Sequence, residues 1–378
     1  MKNLIHASIL ICIVFWLGGC DQKPAITPSG KTIKVGIIAP TSGPDHTYGE
    51  EGIRGMETAM RLQPYLQSGD RIALVVEDDK NETALTVKLL EKLVEEDKVS
   101  AIITFSSSSP VLAMAKVADE YKTPILACFA THPDITEHNG FISQLGFDNN
   151  FQGIVTALFV RDDLLVDTVA VFSNPNSAYS SHLASKFEEK FKSIGGEITD
   201  VISLNENSHD ISEILKSVHD KSPELLYLPI STPDVISVIR EVRKLDWEPK
   251  MMGSDGFISN MIAEHHEELD LAEGMLAADF FAHGMPLAAF GKKAQEAFKG
   301  TPTIFAALGV EGYAILHSAM TRCSDPTDRE CINRQIRSTT NFSGIAGKLT
   351  IGSNGKTQRP LFINTIQGGR SKFVVKVY

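Results

Sequence analysis

Small polar side chains follow the first apolar run of the chain and could hold a small ligand. Residues 35–39 are apolar and β-type, and the Pro/Ser/Gly-rich turn after them leads through Ser42 and Gly43 to Tyr48. In an open α/β sheet, ligands bind in the loops that leave the carboxyl ends of strands. A hydroxyl, a permissive backbone and an aromatic ring suit a small polar solute, although an ordinary strand-to-helix connection can have the same composition.

Two predicted helix starts offer a second kind of binding site. Ser109-Pro110 and Thr232-Pro233 each place a capping hydroxyl before a proline in the first helical turn, after an apolar strand. A helix N-terminus has free N–H groups and the positive end of the helix dipole, so it receives anions well. Two such termini facing each other across a cleft would clamp a small molecule; two ordinary capped helices are the alternative.

Motifs for catalysis, nucleotides and metals are incomplete. Residues 352–357, GSNGKT, resemble a phosphate-binding loop, but Thr350 stands where its first glycine must be, and a hairpin turn fits better. His266 opens an H-E run that ends on Asp270 instead of a second zinc-binding histidine. The serines at 106–109 have no adjacent base, and the glycine motifs of esterases and dinucleotide-binding proteins are missing. The sequence predicts a protein that is not an enzyme, with no metal and no cofactor.

The first 20 residues, MKNLIHASILICIVFWLGGC, predict the compartment. Lys2 precedes an apolar stretch that is shorter than the about 20 residues of a membrane span. The final LGGC resembles a bacterial lipobox. Residues 1–19 are therefore predicted to be a signal peptide, Cys20 to be lipidated, and residues 20–32 to be a tether. A plain cleaved signal is the alternative. The predicted location is periplasmic or otherwise extracytoplasmic, with a lipid as the only membrane anchor.

Charge and the remaining cysteines fit that compartment. The formal net charge is −11, and loss of Lys2 with the signal peptide makes it −12, which argues against nucleic acid as a partner. Cys323 and Cys331 bracket the polar loop SDPTDRE and predict a local disulfide in an oxidising compartment, although their spacing does not fix the geometry. Cys128 lies in the apolar run PILACFA and predicts a buried thiol.

Strands and helices alternate along the chain, which predicts an α/β fold with parallel, doubly wound sheets. The first half has strands at 33–38, 72–76, 99–104 and 124–129, with helices at 49–62, 82–96 and 110–121. The pattern restarts after residues 140–153, with strands at 168–172, 198–203 and 225–230 and helices at 179–194, 209–219 and 233–244. A strand near 275, a long apolar helix at 303–320 and β-hairpins at 345–378 complete the chain.

Five of these segments, in this order, resemble the type I periplasmic solute-binding proteins of ABC importers, the leucine/isoleucine/valine-binding protein family. They are VGIIAPTSGPDHTYGEEGIRGMETA, VVEDDKNETALTVKLLEKLVEEDKVSAIITFSSSSP, PILACFATHPDIT, MMGSDGFIS and GIAGKLTIGSNG. The resemblance implies two Rossmann-like lobes joined by three hinge crossovers, with the ligand enclosed by hinge closure. Lobe 1 would be 33–145 plus 279–345, and lobe 2 would be 146–278 plus 346–378.

The resemblance also implies a ligand site. In the family, a serine after the third strand and a threonine in the Ala-Thr block hold the α-carboxylate and α-ammonium of an amino acid. Ser108 and Thr131 match them, with the Phe129 backbone beside Thr131. Tyr48 and Tyr179 match tyrosines that close over the ligand from the two lobes.

Asp255 matches the family's acidic residue that pairs with the ligand ammonium, which needs such a partner once it is desolvated. Two features depart from the branched-chain pattern. Phe129 replaces a small residue beside the carboxylate site, and Ser231 and Thr232 stand where branched-chain binders carry a tyrosine near the ligand side chain. The resemblance therefore implies an amino-acid headgroup site without implying branched-chain specificity.

The function that the resemblance predicts is solute capture for import. A lipid-anchored protein would enclose an amino acid, or a small amide-like solute, between its lobes and deliver it to an ABC permease in the inner membrane. Two alternatives stay open: a ligand-sensing receptor subunit, which neighbouring permease genes would disfavour, and a structural lipoprotein that activates a cell-wall enzyme, which a cleft without a bindable solute would favour.

Overall fold

The computed structural model describes residues 26–137, 139–204, 211–282, 289–298, 302–345 and 347–377. The predicted signal peptide and the lipidated Cys20 lie outside these residues, as does the first part of the tether. Strands and helices alternate along the described chain, and the predicted α/β class is confirmed.

The described strands are β1 (Thr32–Ala39), β2 (Arg71–Asp78), β3 (Ile102–Thr104), β4 (Ile125–Ala127), β5 (Ile142–Gln144), β6 (Thr168–Ser173), β7 (Glu197–Ser203), β8 (Leu225–Leu228), β9 (Lys250–Gly253), β10 (Leu276–Asp279), β11 (Phe342–Gly344), β12 (Gly347–Ile351), β13 (Thr357–Gln358), β14 (Leu361–Ile366) and β15 (Ser371–Val377). The described α-helices are α1 (His46–Leu62), α2 (Thr83–Glu95), α3 (Ser108–Tyr121), α4 (Asn149–Leu158), α5 (Ala178–Ser193), α6 (Ile211–Asp220), α7 (Thr232–Lys244), α8 (Phe257–Glu264), α9 (Ala289–Ala297), α10 (Ile304–Thr321) and α11 (Arg329–Arg337).

Two large sheets carry the fold. The first has five parallel strands in the order β2-β1-β3-β4-β5, and its strands β3, β4 and β5 are wholly buried, as expected when helices cover both faces. The second has seven strands in the order β15-β14-β10-β9-β8-β6-β7. Its strands β6 to β10 are parallel, whereas β14 and β15 are antiparallel additions. The short strand β5 was missed in the sequence, where the polar stretch 140–153 predicted only a connection.

Strands β11, β12 and β13 form a small antiparallel sheet of their own. It continues from the end of β5, because Gln144 N donates to Gly355 O (2.9 Å) and Thr357 Oγ1 donates to Gln144 O (2.6 Å). These contacts favour a last lobe boundary after residue 358, later than the 345/346 boundary in the predicted division. The division into lobes as a whole remains a prediction.

Helices α1 and α10 pack together along glycines. A Cβ atom on Gly55 would lie 2.1 Å from Ala306 O, and one on Gly309 would lie 2.0 Å from Gly52 O, so the two backbones approach more closely than side chains would allow. Helix α10 is long and apolar enough to cross a membrane by length and composition, but 83% of it is buried inside the fold. It is a core helix of the five-stranded half.

A buried ion pair lies where three segments of the chain pass between the two large sheets. Arg359 Nη1 is 3.0 Å from Glu311 Oε2, and the two side chains are 1% and 0% exposed. The same guanidinium donates to Leu145 O and to Phe280 O, each at 3.3 Å. Leu145 follows β5, Phe280 follows β10 and Arg359 precedes β14, so this one side chain links all three passages to helix α10.

Cys323 and Cys331 are joined by a disulfide in the structure, with 6.0 Å between their Cα atoms. It closes the loop between α10 and α11. Cys128 is a free, buried thiol, and burial raises its pKa well above the ordinary value. A thiol that cannot ionise is a packing residue rather than a nucleophile.

Candidate functional site

A cavity of about 160 Å³ lies between the two large sheets. Segments that follow β1, β3 and β4 line it from one side, and segments that follow β6, β8 and β9 line it from the other, as expected where the carboxyl ends of parallel strands meet. All the predicted binding residues line it: Tyr48, Ser108, Phe129, Thr131, Tyr179, Ser231 and Asp255. The structure brings these residues together; their contact with a ligand stays a prediction.

A larger and more open groove of about 710 Å³ lies beside the small sheet. Asp148, Lys348 and Lys356 are among its lining residues, and none of the predicted binding residues is. We therefore place the candidate site in the smaller cavity, where buried polar groups converge.

Two hydroxyl groups lie together at one end of the cavity. Ser108 Oγ accepts hydrogen bonds from Thr131 N (3.3 Å) and His132 N (3.2 Å), so its own hydrogen remains available for another acceptor. Thr131 Oγ1 is fully buried and has no hydrogen-bond partner among the described residues. Both hydroxyls can therefore donate to an anionic group, which would form charge-assisted hydrogen bonds.

The helix starts at the cavity differ from the predicted ones. The N-cap of α7 is Ser231, whose Oγ accepts from Asp234 N (3.3 Å), and the N-cap position of α3 is Ser107, without a side-chain cap. The prediction that Ser109 and Thr232 cap these helices was wrong, because both residues already lie within the first turn. Ser109 Oγ instead accepts from Ala178 N (3.3 Å), the first residue of α5, across the cleft.

Asp255 is a buried carboxylate with one oxygen left without a partner. Its Oδ1 accepts from Tyr179 Oη (2.5 Å) and from Gln152 Nε2 (2.7 Å), whereas its Oδ2 has no hydrogen-bond partner among the described residues. Burial raises the pKa of Asp255 to about 6, although the two hydrogen bonds limit the rise. Within the described part of the chain, no Lys, Arg or His side chain lines the cavity. The site is thus prepared for a cationic or strongly donating group.

A second carboxyl group, Asp279, is near Asp255 and is only 1% exposed. Its Oδ1 accepts from Phe280 N (3.0 Å). Burial raises the pKa of Asp279 well above the ordinary value, and the charge on Asp255 raises it further. Burial and the neighbouring carboxylate thus both favour the protonated form of Asp279.

Three aromatic rings pack together at the cavity, and two of them, Tyr48 and Phe129, line it. The ring centroids of Tyr48, Phe129 and Phe305 are 4.8 Å apart in every pair, and Phe305 comes from the core helix α10. Burial raises the pKa of Tyr48 well above its ordinary value, with the charges on Asp45 and Asp255 adding to the rise. The Tyr48 hydroxyl is therefore a neutral hydrogen-bonding group at the wall of the cavity.

Further polar residues of the cavity were not singled out in the sequence: Asp45, Asn81, Ser107, Ser177, Ser254 and Asn260. Asp45 lies three residues before Tyr48. Its charge was the feature of the sequence that could have marked it as a residue of the cavity. Gln152, which orients Asp255, lies in α4 and gave no signal, because a glutamine in an amphipathic helix is usually a surface residue. No group of three or more His, Cys, Asp or Glu residues suited to a metal ion occurs within the described ranges.

A family model for periplasmic binding proteins matches residues 32–370. Among relatives, the amino acid binding protein of Pseudomonas aeruginosa is 23% identical over 266 residues, which is 69% of each chain. The Leu/Ile/Val-binding protein homolog 2 of Brucella abortus is 24% identical over 268 residues, covering 70% of this chain and 69% of that protein.

Solved structures share the fold. The leucine-binding protein LivK of Thermotoga maritima has a TM-score of 0.84 and 26% identity, covering 91% of this chain and 98% of its own. LivJ of Streptococcus pneumoniae, in complex with isoleucine, has a TM-score of 0.82 and 21% identity, covering 91% and 99%. A solute-binding protein of R. palustris, in complex with benzoate, has a TM-score of 0.81 and 21% identity, covering 91% and 96%. The two-lobed, Rossmann-like fold predicted from the sequence is confirmed.

Proposed function

This chain belongs to the periplasmic binding protein family, and we propose that it is a lipid-anchored, extracytoplasmic protein that captures an amino acid, or a small amide-like solute, for the permease of an ABC importer. Proteins of this family bind ligands and are not enzymes, and the family places the chain in the periplasm or an equivalent extracytoplasmic space. The observation that carries the proposal is the unpartnered Asp255 Oδ2 in the same small cavity as two available hydroxyl groups.

An α-amino acid satisfies these groups with its own headgroup. Its carboxylate would accept from Ser108 Oγ and Thr131 Oγ1, near the N-terminus of α3, where the helix dipole favours an anion. Its ammonium would donate to Asp255 Oδ2, which Tyr179 and Gln152 hold in place through Oδ1. Each buried charge then has an opposite charge or a donor beside it, which buried groups require.

Contacts across the cleft suit a protein that encloses its solute. Ala178 N donates to Ser109 Oγ, and Ile304 N donates to Ser259 Oγ (3.0 Å), so each bond joins the side of the five-stranded sheet to the side of the seven-stranded sheet. Tyr48 lines the cavity from the first turn of α1. We infer that the solute is held by enclosure together with a few polar bonds, as is usual for small-molecule sites.

The relatives support an amino-acid ligand more than an aromatic acid. Two of them are described as amino-acid-binding proteins, whereas the R. palustris structure contains benzoate. Benzoate has no ammonium group, so it would leave Asp255 Oδ2 unpaired beside an anion. The unpaired carboxylate therefore favours an amino acid or an amide-like donor.

A thermal-shift screen tests the proposal. The mature protein, purified in detergent and refolded to remove bound solute, would be screened against the amino acids, small amides, urea and benzoate. A solute that binds only the folded state raises the Tm as its concentration exceeds the Kd. We expect a shift with amino acids that Asp255→Asn abolishes. A shift with benzoate alone, or none at all, would contradict the amino-acid assignment.

The lipid anchor needs its own experiment, because Cys20 lies outside the described residues. We expect the wild-type protein to partition into the membrane fraction and to gain the mass of its acyl chains. The Cys20→Ala variant should lose both properties, since it has no thiol to acylate. Cys128→Ala is the matched control, because that thiol is buried in the core. Lipid mass that persists in Cys20→Ala would refute the anchor.

A further inference from the structure

We propose that the solute of this cavity is an amino acid with a cationic side chain, and that Asp45 selects it. This inference rests on the proposed function and names the class of amino acid. In that arrangement the headgroup occupies Ser108, Thr131 and Asp255, and the side-chain cation pairs with the Asp45 carboxylate.

Charge is the first argument. The described lining residues include two carboxylates, Asp45 and Asp255, and no Lys, Arg or His. A zwitterionic headgroup uses the negative charge of Asp255 for its ammonium and directs its carboxylate to hydroxyl groups. The charge of Asp45 is then left over within a cavity of about 160 Å³. A ligand with one further positive charge would balance it, which matters most in a poorly hydrated site.

The surroundings of Asp45 hold its carboxylate in place: burial raises its pKa, and the hydrogen bond from Asn81 limits the rise. Asn81 Nδ2 donates to Asp45 Oδ2 (2.6 Å), and Asn81 Oδ1 accepts from Ser107 N (2.9 Å), so a neutral amide ties the carboxylate to the start of α3. Asp45 also precedes the N-terminus of α1, whose dipole favours a negative charge. A fixed, half-buried anion of this kind is suited to select a cation.

The nearest basic side chain, that of His46 at the start of α1, acts on the charge of Asp45 but does not line the cavity. His46 Nδ1 lies 3.1 Å from Gly43 O, and its Nε2 lies 3.8 Å from Glu264 Oε1. His46 is not among the residues that line the cavity. The Asp45 carboxylate is thus the feature of the first loop that a ligand cation would meet.

The lining also disfavours an aliphatic side chain. Ala130 and Ile230 are the aliphatic residues among the described lining, and the rest is hydroxyl, amide, carboxylate, aromatic or glycine. A leucine or isoleucine side chain would displace water from Asp45 without offering a hydrogen bond, and burying a charge without a partner is unfavourable. A guanidinium or ammonium group offers several donors to the same carboxylate.

Isothermal titration calorimetry tests this inference. The refolded mature protein would be titrated with arginine, lysine and ornithine, and with glutamine and leucine as neutral ligands. We expect the basic amino acids to bind at least tenfold more tightly than leucine. In Asp45→Asn the affinity for the basic amino acids should fall at least tenfold, whereas the affinity for glutamine should change by less than about threefold.

Glu50→Gln is the matched control, because Glu50 is an exposed carboxylate of α1 that does not line the cavity. It removes one charge from the same helix and should leave every affinity within twofold. A wild type that prefers leucine or glutamine, or an Asp45→Asn that behaves like Glu50→Gln, would overturn the cationic assignment and leave the proposed function standing. Binding of no amino acid would overturn both. If a variant fails to fold, the affinities of the wild-type protein for basic and neutral amino acids still test the cationic assignment.

Discussion

Two buried charges of this protein lie in opposite situations. Glu311 is buried beside Arg359 at 3.0 Å, at the place where the chain passes between the two large sheets. Asp255 is 7% exposed, has neutral donors on one oxygen and has no partner for the other among the described residues. The first charge has its counter-ion within the chain, whereas no basic side chain among the described residues lines the cavity beside the second.

The difference indicates what each charge is for. A buried ion pair that also binds two backbone carbonyl groups fixes the geometry of the chain, and removal of one member leaves the other uncompensated. A buried carboxylate without a counter-ion in the protein destabilises the ligand-free fold. Such a carboxylate is expected at a site where a cationic ligand binds. Four experiments test whether the two charges differ in this way.

The largest effect is expected from Arg359→Met. The free energy of unfolding should fall by about 3–5 kcal/mol, because the variant leaves the Glu311 carboxylate buried without this cation. Urea denaturation measures it. The double variant Arg359→Met with Glu311→Gln should recover part of the loss, since no charge then remains. A single-variant loss below about 1 kcal/mol would mean that the pair has no structural role.

Asp255→Asn should shift stability in the opposite direction. Burial raises the pKa of Asp255 from 3.8 to about 6, so removal of the charge should raise the free energy of unfolding of the ligand-free protein at pH 7 by up to about 3 kcal/mol. The increase in Tm on adding ligand should disappear. The exposed Asp162→Asn is the control and should change neither quantity. If the ligand-free Asp255→Asn variant is less stable than the wild type, the Asp255 charge stabilises the fold as Glu311 does, and the proposed difference between the two charges is refuted.

The pH dependence of the free energy of unfolding is expected to show a smaller effect of Asp255, counted per pH unit. Because the folded pKa of Asp255 is raised, the folded state holds more protons than the unfolded state between pH 4 and 6. The contribution of Asp255 to stability therefore falls as pH rises through this window, by up to about 1.4 kcal/mol per unit. Urea denaturation of the wild type and of Asp255→Asn at several pH values gives the contribution of Asp255 as the difference between the two proteins. Parallel curves for the two proteins would contradict the assignment.

The smallest effect is expected from Ser109→Ala. It removes the acceptor for Ala178 N, a bond that joins the two sides of the cleft. Ligand affinity should fall by about 0.5–1.5 kcal/mol, measured by calorimetry, while the unfolding free energy of the ligand-free protein stays nearly constant. Ser237→Ala removes a hydroxyl that bonds within its own helix and serves as the control. An unchanged affinity would mean that this bond does not contribute to closure.

The sequence predicted the fold, and the residues that it singled out as a binding site line one cavity. Apolar runs separated by amphipathic stretches predict parallel strands, and ligands bind beyond the carboxyl ends of such strands, so the loop that leads to Tyr48 could be identified from the pattern alone. Ser108 and Thr131 came from the resemblance to a known family. Asp255 and Tyr179 came from the order of five segments rather than from any local pattern. The cavity does contain all of these residues.

Features that depend on tertiary contact were not predicted. The run of serines at 106–109 offers several possible starts for α3, and the hydrogen bond from Ser107 N to Asn81 helps to decide among them. Arg359 and Glu311 are 48 residues apart, and neither sequence neighbourhood points to the other. A signal was present nonetheless: Glu311 is an acidic residue in the middle of the otherwise apolar helix α10.

The order of strands also bears on when this protein can fold during its synthesis. Strand β14 pairs with β10, and β15 pairs with β14, so the seven-stranded sheet is complete only after residues 361–377 have been made. Helix α10, which covers the five-stranded half through α1, is itself made only after residue 303. A nascent chain of 300 residues therefore has two unfinished cores. We expect such a chain to remain largely unfolded until helix α10 and strands β14 and β15 have been made.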